Sequence, residues 1–264
     1  MAAEINTSYI ESHLLQALEL AKRGYGYVSP NPLVGCVIAN EGNVVSTGWH
    51  AAYGGPHAEA SALQQLSPSL PRTNLTLYVT LEPCNHQGKQ PPCTHAILNS
   101  GISSVVIGMH DPNPNVSGRG AEFLRAHGLT VVMASNAIAN ACRWLNRSWS
   151  YAVTHNRPYV IAKVAQSSDG YMAPSNHSTL RLTGNETQKV VHELRSQVDA
   201  VLVGMGTVGE VGGRFVAPVP ILLEGFQDHP VEVPADEPAE AARLRSAVDR
   251  DRGQGVGCAK AAAR

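Results

Sequence analysis

The stretch Leu75-Thr76-Leu77-Tyr78-Val79-Thr80-Leu81-Glu82-Pro83-Cys84-Asn85-His86-Gln87-Gly88-Lys89-Gln90-Pro91-Pro92-Cys93 decides the fold. Its opening, Leu75 to Leu81, reads as a buried strand, and the strand runs straight into a Pro-Cys turn. Beyond the loop, Thr94 to Leu98 reads as a short helix closed by Gly101, and Val105 to Met109 as the next strand. Ala121 to His127 is then helical, Thr130 to Met133 a strand, and Ala137 to Trp149 helical again. Upstream, Ala58 to Leu66 reads as a helix. Before it, Leu33 to Ala39 and Val44 to Thr47 read as strands joined by a turn at Glu41-Gly42-Asn43. The first helix is capped by Thr7 or Ser8, shows Ile10, Leu14, Leu15, Leu18 and Ala21 at helical spacing, and stops at Gly24. Strands that alternate with helices after one hairpin predict a mostly parallel sheet with helices on both faces.

The rest of the chain is less regular. Ser150 to Arg157 is polar, ends at Pro158 and reads as a linker. A strand (Tyr159 to Ala165), a helix (Glu186 to Ser196) and a strand (Ala200 to Gly204) then open a second α/β unit. From Gly209 onward glycines and prolines break any long element, apart from a candidate helix from Pro238 to Val248. The expected division is a domain over 1–150, the start of a second over 158–208, and a divergent, poorly ordered tail over 209–264.

Bulk properties exclude several classes. The 264 residues carry a formal net charge of −1, so there is no basic field to attract a nucleic acid. No run approaches the ~20 apolar residues of a membrane helix, and the N-terminus lacks the basic and apolar segments of a secretory signal. Five cysteines are too sparse and uneven a set for a disulfide framework. Thiols kept reduced in the cytoplasm are the expectation. The oligomeric state is left open, a homo-oligomer included.

The chemistry lies in two segments, Pro56-His57-Ala58-Glu59-Ala60 and Glu82 to Cys93. One imidazole (His57) and two thiolates (Cys84, Cys93) make three ligands, and three protein ligands leave a tetrahedral zinc one open position for water. Zinc lowers the pKa of such a water to ~7. Glu59, two residues after the histidine at a helix start, can face that water without ligating the metal and shuttle protons. This His-x-Glu and Pro-Cys arrangement is that of zinc nucleobase deaminases, except that eight residues rather than two separate the cysteines. Taken singly, the His-x-Glu is a chance match and the cysteines are ordinary core thiols. A closed structural zinc site would need a fourth protein ligand, for which His86 is the nearby candidate.

These segments occur in order with Ser29-Pro30-Asn31-Pro32-Leu33-Val34-Gly35-Cys36-Val37, Gly48-Trp49-His50 and Asp111-Pro112-Asn113-Pro114. Together they resemble the bifunctional riboflavin-biosynthesis deaminase–reductases over about residues 7 to 208, most densely from 29 to 120. The resemblance implies a cytidine-deaminase-like three-layer α/β/α domain with a mixed, mostly parallel sheet, followed by a partial α/β reductase-like domain. It implies deamination of the small phosphorylated pyrimidine 2,5-diamino-6-ribosylamino-4(3H)-pyrimidinone 5′-phosphate, and NADPH-dependent reduction of the ribosyl chain. By matched position it gives His57, Cys84 and Cys93 to Zn2+ and Glu59 to proton transfer. Asn31, His50, His86 and Lys89 fall to the deaminase substrate, Arg195 to the reductase substrate, and Ala165 and Thr207 to NADPH. After Thr207-Val208 the family pattern Leu-Ala-Asp-Asp-Pro is replaced by Gly209-Glu210-Val211-Gly212-Gly213. The later Gly-rich cofactor loop is also absent, so the reductase half is expected to be incomplete. A deaminase of another base, and a zinc-bound protein without catalysis, are the alternatives.

Overall fold

The computed structural model describes residues 7–40, 42–72, 74–88, 90–114, 119–172, 174, 180–204, 220–223 and 259–263. The chain divides into two compact units, Met1–Pro158 and Tyr159–Arg264. The candidate helix from Pro238 to Val248 lies outside the described residues.

In the first unit, α1 (Ile10–Ala21) turns one apolar face inward, burying Ile10, Leu14, Ala17, Leu18 and Ala21. A 3-10 turn over Thr7–Tyr9 precedes it, and Tyr9 takes the cap position with no side-chain cap bond. The cap position thus falls on Tyr9 rather than on Thr7 or Ser8, which lie in that turn. The strands β1 (Gly35–Asn40) and β2 (Asn43–Trp49) pair antiparallel around Gly42, whose φ of 91° suits a residue without a Cβ. Next come α2 (Ala58–Gln64), β3 (Leu75–Val79), α3 (Cys93–Asn99), β4 (Ser104–Ile107), α4 (Arg119–Ala126) and β5 (Thr130–Met133). The five strands lie in the order β2-β1-β3-β4-β5. β3, β4 and β5 run parallel, as two strand–helix–strand crossovers require, and β1 is antiparallel to both neighbours.

Two apolar layers sandwich this sheet. Val37, Ala39, Tyr78 and Val106 pack with α1 and with Ile138, Cys142 and Leu145. Alternate residues Cys36, Ile38, Leu77, Val79, Val105 and Ile107 pack with Ala58, Ala62, Ile97, Ala121 and Leu124 of α2, α3 and α4. The period of two along each strand is what splits the core in this way.

The segment expected as one helix from Ala137 to Trp149 is two, α5 (Asn136–Leu145) and α6 (Arg147–His155). Asn146 breaks it. Its buried amide accepts from Leu33 N at 2.8 Å and donates to Leu33 O at 2.9 Å, which orients the residue away from helical continuation. α6 then occupies most of the stretch read as a linker.

In the second unit β6 (Ile161–Ala165) pairs antiparallel with Ala259–Ala263. α7 (Asn185–Ser196) precedes β7 (Val201–Gly204), which pairs parallel with β8 (Pro220–Leu223). Within 209–264 these two partner strands are the described residues. Large apolar side chains of this unit, Val160, Tyr171, Met172, Leu180 and Leu202, are exposed. Among the described residues no helix is long and apolar enough to cross a membrane.

Candidate active site

α2 starts where it does because His57 is extended (φ −70°, ψ 162°) and Ala58 to Gln64 are good helix formers. Its backbone sits directly on β2, since a Cβ on Gly48 would lie 2.4 Å from Ala58 O. That contact fixes the first turn of α2, which carries Glu59 and follows directly on His57. The second ligand segment leaves β3 and passes through Pro83 to Cys84, while Cys93 opens α3. The loop closes on itself: Thr94 N donates to Cys84 O at 3.2 Å, and Thr94 Oγ1 to Asn85 Oδ1 at 2.8 Å.

His57 Nδ1 lies 3.2 Å from Cys93 Sγ and 3.5 Å from Cys84 Sγ, and all three donor atoms fall within 4.8 Å of one another. A tetrahedral ion with nitrogen at about 2.0 Å and sulfur at about 2.3 Å separates such donors by about 3.5 Å. The donor set and its spacing therefore fit zinc. Among the described residues no fourth histidine, cysteine or acid joins this cluster. His86 is exposed at the loop surface, which removes the candidate for a closed structural site.

Charge in the cluster is shared. The Cys84 thiol is held below its ordinary range, chiefly by the hydrogen bond from Cys93 and also by His57. Cys93, the donor of that pair, is pushed up, with burial adding to the effect. His57 is raised by its bond to Cys84 despite partial burial. Glu59 is 3% exposed, and burial followed by the Cys84 charge pushes its carboxyl up to about 7.

Above the cluster opens a cavity of about 320 Å³ whose walls include Asn31, His50, Tyr53, His57, Glu59, Glu82, Cys84, His86, Asp111, Asn113 and Trp149. Asn31 and His50 form a relay with a defined direction. The Pro56 carbonyl can only accept, so His50 Nδ1 donates to it at 2.9 Å, and in the neutral ring Nε2 is left as acceptor. Asn31 Nδ2 then donates to His50 Nε2 at 3.0 Å. Burial lowers His50, which favours that neutral form. The amide oxygen of Asn31 is thereby left as the acceptor of that group.

Of the other residues singled out from the sequence, Lys89 and Thr207 lie outside the described residues. Arg195 is exposed in the last turn of α7 and Ala165 ends β6, both in the second unit. Arg195 and Lys163 are close enough for charge repulsion to lower the lysine, after burial. The sequence reading passed over Glu82, Asp111, Asn113 and Trp149 as site residues. The Asp-Pro-Asn-Pro run is the available signal for two of them, and the Glu-Pro-Cys turn for Glu82; nothing local marks Trp149.

Residues 7–109 match the cytidine and deoxycytidylate deaminase zinc-binding region, and residues 158–219 match the RibD C-terminal domain. The riboflavin biosynthesis protein RibD of Aquifex aeolicus is 44% identical over 208 residues, which is 79% of this chain and 56% of that protein. The RibD of Synechocystis is 39% identical over 229 residues, 84% of this chain and 61% of that one. Over the matched regions this chain is similar to the RibD proteins. Among solved structures, the Thermotoga maritima diaminohydroxyphosphoribosylaminopyrimidine deaminase/5-amino-6-(5-phosphoribosylamino)uracil reductase superposes with a TM-score of 0.74 at 38% identity. That match covers 82% of this chain and 63% of that one. The Acinetobacter baumannii RibD superposes at 0.72 and 29% identity, covering 95% and 73%. The chain thus spans a little over half the length of the curated RibD relatives it matches. The first unit carries the family's zinc-binding deaminase region.

Proposed function

We propose that the first unit is a zinc-dependent hydrolase that deaminates 2,5-diamino-6-ribosylamino-4(3H)-pyrimidinone 5′-phosphate, with His57, Cys84 and Cys93 as ligands and Glu59 as the proton carrier. The observation that carries this is the three-donor triangle with one buried carboxyl beside it at the floor of a ring-sized cavity. Zinc held there supplies a hydroxide nucleophile near neutral pH. In the net reaction the oxygen of water becomes a ring carbonyl and the amino nitrogen leaves as ammonia. Glu59 carries one proton of the water to the ring nitrogen and then the second, from the added hydroxyl, to the leaving nitrogen. A carboxyl with its pKa at about 7 is populated in both forms at neutrality, so it can serve both directions. Asn31 Oδ1, left free to accept by the His50 relay, takes a hydrogen bond from an N–H of the ring edge. The test is ammonia release from this substrate against a panel of free bases and nucleosides, with zinc content measured in parallel. Faster release from another base moves the assignment to that substrate, and zinc without ammonia release from any of them favours the non-catalytic reading.

For the second unit the family supplies an NADPH-dependent reductase, with Ala165 and Thr207 toward the cofactor and Arg195 toward the substrate. The RibD C-terminal domain match ends at residue 219, the Leu-Ala-Asp-Asp-Pro motif after Val208 is replaced by Gly209 to Gly213, and apolar residues of this unit are exposed, all of which favour a chain that deaminates without reducing. NADPH oxidation with the deaminated product decides it; robust turnover refutes this reading.

A further inference from the structure

Glu82 stands two residues before a metal ligand, and the deaminase chemistry above makes no use of it. Its side chain is fully buried. Oε1 accepts from Ala121 N in the first turn of α4 at 2.9 Å. Oε2 accepts from Asp111 N at 3.2 Å and from His110 Nδ1 at 3.1 Å. The N–H of Glu82 donates to Met109 O at 2.9 Å. Ala121, Asp111 and His110 all present N–H donors to the carboxylate and engage both of its oxygens, so an acceptor-only side chain is what satisfies them together. A glutamine would turn an NH2 against one of those donors.

The same stretch is pressed against α4 at two further points. A Cβ on Gly120 would lie 2.0 Å from Pro83 O, and Asn85 Nδ2 reaches Arg119 O at 3.5 Å. Cys84 is therefore bracketed by residues 82, 83 and 85, all fastened to the start of one helix. On the other side, the Asp111 backbone that Glu82 holds belongs to a turn in which Asn113 N donates to Asp111 Oδ1 at 2.8 Å. Asp111 and Asn113 both line the cavity.

We propose that Glu82 is a positioning residue whose carboxylate sets, in one piece, the Cys84 side of the metal triangle and the Asp111–Asn113 wall of the substrate cavity. A residue that merely caps α4 affects stability alone. A positioning residue also changes metal affinity and substrate binding. The inference rests on the zinc-deaminase reading, and the test separates the two.

The full chain is stripped of metal and titrated with cobalt(II), following the thiolate-to-cobalt and d–d absorption bands, and KM and kcat for the pyrimidine are measured on the zinc form. The variants are Glu82→Gln, Glu82→Asp and, as a control for lost stability alone, Leu14→Ala, which opens a cavity under α1 in the opposite layer of the core. Glu82→Gln is expected to bind cobalt on the order of 10- to 100-fold more weakly, with shifted d–d bands and a raised KM. Glu82→Asp, which keeps the charge on a shorter arm, is expected to fall between it and the wild type, and it gives the same readouts if the glutamine variant does not fold. Leu14→Ala is expected to keep the wild-type spectrum and affinity. Glutamine and aspartate variants that lose stability yet match the wild type in bands, cobalt affinity and KM overturn the positioning role. A wild-type chain without any thiolate-to-cobalt band overturns the metal reading itself.

Discussion

Replacing Glu59 by glutamine separates what the carboxyl does for chemistry from what it costs the fold. Glu59 is buried in the first turn of α2, and burial with the nearby Cys84 charge raises it from 4.5 to about 7. The folded chain therefore holds a proton between those values that the unfolded chain releases. Stability from this group is complete below pH 4.5 and is lost as pH rises through about 7. At about 1.36 kcal/mol per pH unit of altered proton affinity, the full loss is about 3 kcal/mol. A glutamine at this position does not titrate, so Glu59→Gln in the metal-free chain gains up to about 3 kcal/mol over the wild type at pH 8 and little at pH 4.5. Activity of the zinc form falls by about 10²- to 10⁴-fold, the usual worth of a general acid–base. The assay is urea unfolding followed by tryptophan fluorescence, which reports the first unit alone because the chain's three tryptophans, Trp49, Trp144 and Trp149, all lie in it. A variant no more stable than wild type at pH 8, or equally stabilised at both pH values, refutes the electrostatic reasoning. Activity within tenfold of wild type refutes the proton-carrier role.

Protons compete for the zinc donors, and Cys93 and His57 are both raised. Zinc affinity by chelator competition is expected to fall on the order of tenfold per pH unit for each proton displaced as pH drops from 8 to 6, and a pH-independent affinity contradicts the ligand set. Asn146→Ala leaves the buried N–H and C=O of Leu33 unpaired, so unfolding should show a loss of about 2 to 4 kcal/mol; a loss under about 1 kcal/mol means water replaces the amide. Gly120→Ala puts a methyl group 2.0 Å from the Pro83 carbonyl and must displace the Cys84 segment. kcat/KM should fall on the order of 10²-fold, and wild-type kinetics would show that the segment tolerates movement.

The sheet and its flanking helices were legible because β1, β3, β4 and β5 are short, largely apolar runs, β2 follows β1 across a glycine turn, and each crossover helix is bounded by glycine or a cap. The metal residues were legible because cysteine, histidine and proline in that spacing have few other uses. What escaped the reading was set by distant partners. Asn146 looks like any polar residue within a helical stretch, and nothing near it announces two bonds to a residue 113 positions away. Glu82 opens the zinc-loop segment, yet it takes donors from residues 110, 111 and 121, which its neighbours in sequence do not announce. The Asn31–His50–Pro56 relay joins three segments whose order in the chain says nothing of the direction of their hydrogen bonds.

The electrostatics of the cavity also bear on how a phosphorylated substrate of the proposed kind must enter. Glu59, Glu82 and Asp111, all buried, line it together with Cys84 and the imidazoles of His50, His57 and His86. Asp111 is itself raised, first by burial and then by the charges of Glu82 and Cys84, against the lowering effects of the Asn113 backbone bond and of His86. A divalent ion on the three donors is the natural complement to that charge, and a phosphate is not. In a low-dielectric cavity two like charges a few ångströms apart repel strongly, whereas at the solvent-open rim the same repulsion is screened. Under the proposed function the amino-bearing ring is expected to go in first with the phosphate at the mouth, which would bring the reacting carbon to Glu59 and the metal donors. Under the proposed function, the burial that makes Glu59 costly to ionise and raises it to about 7 is also what would let it carry protons at neutrality.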